Sequence, residues 1–226
     1  MSGTFPSSPA FNSLNVQSVQ PTFVSRTISG RRQARQIGGQ YWTMTASFAP
    51  LTRAQFQPIY AFIMSQRGRF DSFSLTLPVI KSGLGTPTGT PLVNGASQTG
   101  RTVVTDGWNN DTVVFKAGDF VKFAGNDKVY LITSDIQSNG SGQASLPIDP
   151  ARVASPANDE AVVAENIPFT VALTGGVQEF ATGTTGLFSY DVDFEEVLLC
   201  LEVYHPLSKQ NWRQANSQWR TWLSSN

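Results

Sequence analysis

The chain has one cysteine, one histidine and a charged fraction of only 14%. Each shortage excludes something. Cys200 has no partner for an intrachain disulfide, so this is no secreted disulfide scaffold. It lies within the apolar run Val197-Leu198-Leu199-Cys200-Leu201 and reads as a buried, inert thiol. His205 would have to serve any Ser-His-Asp or Cys-His site, yet it precedes Pro206 in a turn-like context, and no such site is read there. No stretch approaches the ~18 consecutive apolar residues of a membrane-spanning helix, and the first residues lack the charged and apolar regions of a signal peptide. Sixteen basic and sixteen acidic residues cancel. That argues against a protein that coats DNA through bulk charge, while leaving room for a local patch. Gly, Ser, Thr, Asn and Gln stand where charges usually would. The balance suits a β-rich protein largely covered by other subunits, and it equally suits a weakly charged independent protein.

The informative stretch is Tyr41–Pro78. Trp42, Met44, Ala46 and Phe48 alternate with Tyr41, Thr43, Thr45 and Ser47, the period of a strand with one buried face. Pro50-Leu51-Thr52 ends the strand and begins a helix. Thr52 and Gln55 have capping-box spacing, and Leu51 and Phe56 have staple spacing. Phe56, Ile59, Tyr60 and Ile63 follow at helical intervals. Pro58 resists a helix beginning at Thr52, because it lacks a donor and crowds the carbonyl four residues back. The expectation is a kinked helix, or one whose regular part starts nearer Pro58. Arg67 is expected in the last turn and Gly68 at the stop. A second strand is expected over Phe70–Leu77.

Residues 1–15 read as an irregular arm, either frayed or anchored on a neighbour by Phe5 and Phe11. A first strand, broken around Pro21, is expected over Val16–Ile28. Arg31, Arg32 and Arg35 then crowd a glycine-bounded segment, a basic loop or hairpin tip suited to an acidic surface or nucleic acid, or simply a solvated face. Gly38-Gly39 is expected to turn the chain into the Trp42 strand. Residues 79–98 have the Gly, Pro and Thr content of linkers. Beyond them, short strand-like runs (Arg101–Thr105, Thr112–Phe115, Asp119–Phe123, Val129–Thr133 and Gln143–Ile148) alternate with turn-formers, which predicts a small inserted β-barrel or sandwich over 82–165. Residues 167–174 form another strand, and Thr182–Gly186 a flexible tip. In Leu187–Leu201, apolar Phe188, Tyr190, Val192 and Phe194 alternate with Ser189, Asp191, Asp193 and Glu195. The carboxylates have no histidine or second acidic cluster to complete a metal or acid-base site, so no cofactor is expected. They read as the wet face of a strand or as a negative wall facing a pore. Residues 207–223 have helical spacing of Trp212, Trp219, Trp222 and Leu223, with Ser208 as cap. Tryptophans bury ~150–250 Å² each, so this helix must dock on its own domain or on a neighbouring subunit.

Taken in order, the strand Tyr41–Phe48, the helix through Phe56, Ile59 and Ile63, the Gly68 stop, the strand around Phe70-Asp71-Ser72-Phe73 and the closing strand Tyr190–Val197 resemble the distal tail proteins of long-tailed phages, in particular the lambda-like minor tail protein M group. The likeness covers under half of the chain. It implies a mainly β (α+β) fold: a tail-tube-like β-sandwich with one flanking helix over 1–81 and 166–206, an inserted small β domain over 82–165, and a C-terminal helix over 207–226. It also implies a homo-hexameric ring in the virion's tail tip, joining the tail tube protein to tip or baseplate hub proteins, with DNA only passing through the lumen and no membrane contact. On this reading Asp191, Asp193 and Glu195 face the lumen, and Arg31, Arg32, Arg35, Trp212, Trp219 and Trp222 make subunit contacts. The chain departs from the pattern in its arginine segment and in its tryptophan-rich end. An alternative is a host-glycan-binding module, for which Trp108 beside Asn109-Asn110-Asp111 is the one aromatic candidate. An enzyme is not expected, because glycosidases set two carboxylates across a cleft and these lie along one strand face.

Overall fold

The structure, a computed structural model, describes residues 3–78, 80–182 and 186–198. Cys200, His205 and the expected helix 207–226, with Trp212, Trp219 and Trp222, lie outside the described residues, as does most of the Thr182–Gly186 tip. The chain is mainly β, with one helix among the described residues.

The first part contains β1 (Ser13–Val19), β2 (Thr22–Arg26), β3 (Arg32–Gln36), β4 (Tyr41–Ser47), α1 (Arg53–Ser65) and β5 (Phe73–Thr76). After an insert come β14 (Pro168–Leu173), β15 (Ala181–Thr182), β16 (Phe188–Ser189) and β17 (Asp191–Glu196). Five of these form one antiparallel sheet in the order β1-β4-β17-β14-β5. The alternation in β4 does what its period requires: Trp42, Met44 and Ala46 are buried on one face, and α1 covers that face with Phe56, Ile59 and Ile63. Each such side chain contributes roughly 1.5–3 kcal/mol when fully buried. The acidic strand is shorter than expected, because the chain breaks at Tyr190 between β16 and β17. The Tyr190 hydroxyl donates to Gln178 Oε1 at 2.9 Å.

A helix start nearer Pro58 and a place for Arg67 in the last turn are both corrected. The helix begins at Arg53, directly after Thr52, whose N–H donates to Gln55 Oε1 at 3.0 Å. Pro58 therefore sits inside the helix. It is tolerated because Pro58 and Ala54 are both exposed, so the carbonyl left without its helical donor is open to water. At the other end the helix stops at Ser65, and Arg67 lies beyond it in a left-handed conformation (φ 56°), as does Gly68 (φ 67°). Instead of neutralising the helix end, Arg67 grips Asp71 with two hydrogen bonds of 2.7 and 2.8 Å and lies over the Phe70 ring.

β1–β2 and β3–β4 run as one long antiparallel ribbon that outgrows the sheet. Pro21 interrupts one side and Gly38-Gly39 the other, with the Ile37 N–H to Pro21 carbonyl bond (3.0 Å) between the two halves. The chain reverses at Thr27–Arg31, where Gly30 takes φ 77°, and not at Gly38-Gly39 as the sequence suggested.

The N-terminal segment packs at home. Phe5 is buried against Phe11, Phe62, Phe73 and Phe194. The Phe5 N–H donates to the Ser74 carbonyl (2.8 Å) and the Ser74 N–H to the Gly3 carbonyl (2.9 Å), a short parallel pairing along the free side of β5. Anchoring of Phe5 and Phe11 on a neighbour is thereby overturned.

The insert contains β6 (Gly89–Val93), β7 (Thr102–Trp108), β8 (Val113–Phe115), β9 (Phe120–Phe123), β10 (Val129–Ile132), β11 (Ile136–Gln137), β12 (Ala144–Asp149) and β13 (Val162–Val163). Six of them form a sheet in the order β13-β9-β10-β12-β7-β6. The ends β6 and β13 approach each other through Val93 N–H to Glu160 carbonyl and Asp159 N–H to Val93 carbonyl, both 2.9 Å, so the sheet nearly closes into a barrel. β6 lies within the segment read as a linker. Its pairing forces Gly107, since a Cβ there would collide with the Thr90 carbonyl oxygen. The barrel has its own apolar core, including Val103, Trp108, Phe115, Phe123, Tyr130 and Leu146.

The insert's two legs pair with each other, Asn166 N–H to Lys81 carbonyl at 2.6 Å beside a Ser82–Glu165 bridge. The Asp119 carboxylate holds the entry leg by accepting the N–H groups of Leu84 (2.8 Å) and Gly85 (3.1 Å). The barrel also docks on the core sheet. Phe120 packs on Trp42 and Phe169, and Val129 belongs to the core's apolar cluster.

Candidate assembly surfaces

The sheet face opposite α1 is polar along β17 and along β1 and β4 up to the Val19–Tyr41 pair. Cross-strand rows run Ser13–Ser47–Asp191, Asn15–Thr45–Asp193 and Gln17–Thr43–Glu195. Asp191 and Asp193 are exposed and Glu195 half-buried. Thr45 Oγ1 donates to Asp193 Oδ1 at 2.7 Å, which fixes one carboxylate on the face. These rows hold three carboxylates and no basic side chain. Beside them, an open groove of about 390 Å³ between 174–181 and 189–193 adds Glu179.

The opposite charge is concentrated on the β2–β3 arm. Arg26, Arg31, Arg32 and Arg35 are exposed there, and residues 20–41 contain no acidic residue. Phe23, Val24, Ile28 and Ile37 are also exposed, Phe23 by 60% and Ile37 by 65%. Five-residue strands rising about 3.3 Å per residue carry this arm well beyond the sheet. The sheet edges differ. β5 is covered over Thr4–Ser74, whereas β1 has no hydrogen-bonded neighbour but β4 among the described residues.

Trp108 is not a turn tryptophan. It is buried in the barrel, edge-on to Phe115, and its Nε1–H donates to Thr105 Oγ1 at 2.9 Å. The glycan-binding alternative thus loses its aromatic candidate. Among the described residues, no group of three or more His, Cys, Asp or Glu side chains is placed to hold a metal ion.

Sequence reasoning missed Glu196. It occupies the apolar parity of β17, after Val192 and Phe194, and a carboxylate in that position demands a partner. The partner is Lys128 of the insert, in an ion pair whose side chains are 0% and 2% exposed. Glu196 also accepts the N–H groups of Val129 (2.9 Å, Oε1) and Trp42 (3.2 Å, Oε2). Trp42 Nε1–H returns a bond to the Val129 carbonyl at 3.0 Å. Burial pushes the Glu196 carboxyl above and the Lys128 amine below their ordinary values, against their mutual attraction.

The described residues thus form two apolar cores, a projecting basic arm and a largely polar sheet face. Residues 82–167 match the family described as Distal tail protein pb9, B domain. The chain therefore carries a domain of a phage distal tail family, and the resemblance to distal tail proteins of long-tailed phages holds. That match falls on the insert, whereas the resemblance rested on the core strands and helix. The role that follows is structural, in the virion's tail. No curated protein matches the chain.

Proposed function

We propose that the chain forms a closed ring, six-fold by family resemblance, which joins the tail tube to the tail tip or baseplate proteins. The observation that carries this reading is the β2–β3 arm. It is basic and apolar, it projects from a sheet with one covered edge and one open among the described residues, and those residues leave it exposed. A surface that cannot pair with itself joins copies head to tail, and such contacts close into a ring when the rotation permits. Arg31, Arg32 and Arg35 meet an acidic neighbouring surface, where complementary charge sets register. Asp191, Asp193 and Glu195 face the bore, because negative walls do not hold passing phosphates.

Native mass measurement and negative-stain imaging of the purified chain test the proposal. The expected result is a ring of six copies that is lost in the triple variant Arg31→Glu, Arg32→Glu, Arg35→Glu, whose thermal unfolding stays unchanged. A triple variant that still forms rings, or carboxylates 191, 193 and 195 on the outside of an assembled tail map, would overturn it.

A further inference from the structure

We infer that Glu196 is the latch that holds the inserted barrel against the core sheet in one fixed position. Two units with separate apolar cores, joined by a pair of adjacent legs, would ordinarily move relative to each other. Here the core grips one peptide of the barrel by both of its polar groups: Glu196 takes the Val129 N–H and Trp42 takes the Val129 carbonyl. The Lys128 ammonium, next in sequence, ends on the same carboxylate and lies 5.8 Å from the Trp42 ring. With three donors from β4 and the barrel, the Glu196 carboxylate ties β17, β4 and β10 at one point. The barrel also reaches β14. Lys122 Nζ donates to the Pro168 carbonyl at 2.9 Å, and Thr170 Oγ1 donates to Asp127 Oδ1 at 3.0 Å. The barrel is therefore bonded to β17 and β4 through Glu196 and Trp42 and to the adjacent β14 through Lys122 and Asp127, so it cannot tilt on the sheet without breaking polar contacts at several strands, and those are costly to leave unmade. The insert is thus a fixed projection of the tail protein and not a swinging one.

The test is residue-resolved hydrogen exchange on the full chain, with three variants. Glu196→Gln leaves the Lys128 ammonium buried without a counter-charge, and Lys128→Met leaves the carboxylate so. Each should speed exchange at the Val129 and Trp42 amides by about a hundredfold, while amides of the barrel core and of α1 keep their protection. The double variant Glu196→Leu, Lys128→Met removes both buried charges. It should restore protection of the α1 and barrel-core amides if a single variant has weakened it, yet still expose the Val129 amide, which loses its acceptor. Native exchange at Val129 in all three variants would overturn the inference. So would equal acceleration throughout both cores that persists in the double variant, because Glu196 would then be a general fold determinant and not a latch.

Discussion

At the scale of single residues, the chain tolerates two local conflicts, and each has a visible reason. Pro58 breaks the rule against proline inside a helix, but on the wet side of α1, where the freed carbonyl meets water. Pro58→Ala returns a donor to Ala54 and removes the steric crowding, at the cost of some freedom regained by the unfolded chain. The net expectation is a gain of about 1–2 kcal/mol, read as a higher denaturation midpoint at unchanged slope. Glu196 breaks the rule against buried charge. Its carboxyl is raised in the fold, so its contribution to stability is full below its ordinary value of 4.5 and is lost as pH rises through the folded value. Lys128 is lowered, so its contribution is full above its ordinary value of 10.5 and is lost as pH falls through the folded value. Between those limits both groups carry the cost of burial. The pair accordingly earns its place by position and not by net stability.

Among the elements, those with a strict local period were legible. β4 and α1 announced themselves through two- and 3.6-residue spacing, because one buried face is enough to write such a pattern. β6 was not legible. Gly89, Pro91 and the threonines around them have no strand signature, and the strand exists only because β7 and β13 lie close enough to pair with it. The same holds for Gly3–Phe5, whose pairing with Ser74 spans some seventy residues of sequence. This short segment guards the β5 edge. Removing residues 1–5 should both uncover that edge and lose the burial of Phe5, worth roughly 1.5–3 kcal/mol. The expected readouts are a lower thermal midpoint and light scattering that grows with protein concentration. Unchanged scattering would show that the edge is protected by something else.

For the whole molecule, the acidic parity of Asp191, Asp193 and Glu195 and the arginine cluster could be read directly from the sequence, since each is a local pattern of charge. The junction between the two units could not, because Lys128 and Glu196 lie far apart in the chain and only the fold brings them together. That junction shapes the outcome of deleting the insert. Replacing 82–165 by a short Gly-Ser linker is sterically easy, because the Lys81 and Asn166 legs already touch. The shortened chain should still unfold in one cooperative calorimetric transition, at a lower midpoint, since Trp42 and Phe169 lose Phe120 as cover. Absence of any cooperative transition would show that the core is incomplete without the barrel.

The touching legs have a further consequence, for inheritance. A segment whose two ends meet can be gained, lost or exchanged by one recombination event without disturbing the strands that flank it. Lys128 travels with such a cassette, while Glu196 and Trp42 stay behind with the host sheet. A foreign barrel arriving without a base at that place would strand a carboxylate under its own docking surface. Successful exchanges are therefore those in which the newcomer brings a matching cation, or in which the recipient gives up its glutamate soon afterwards.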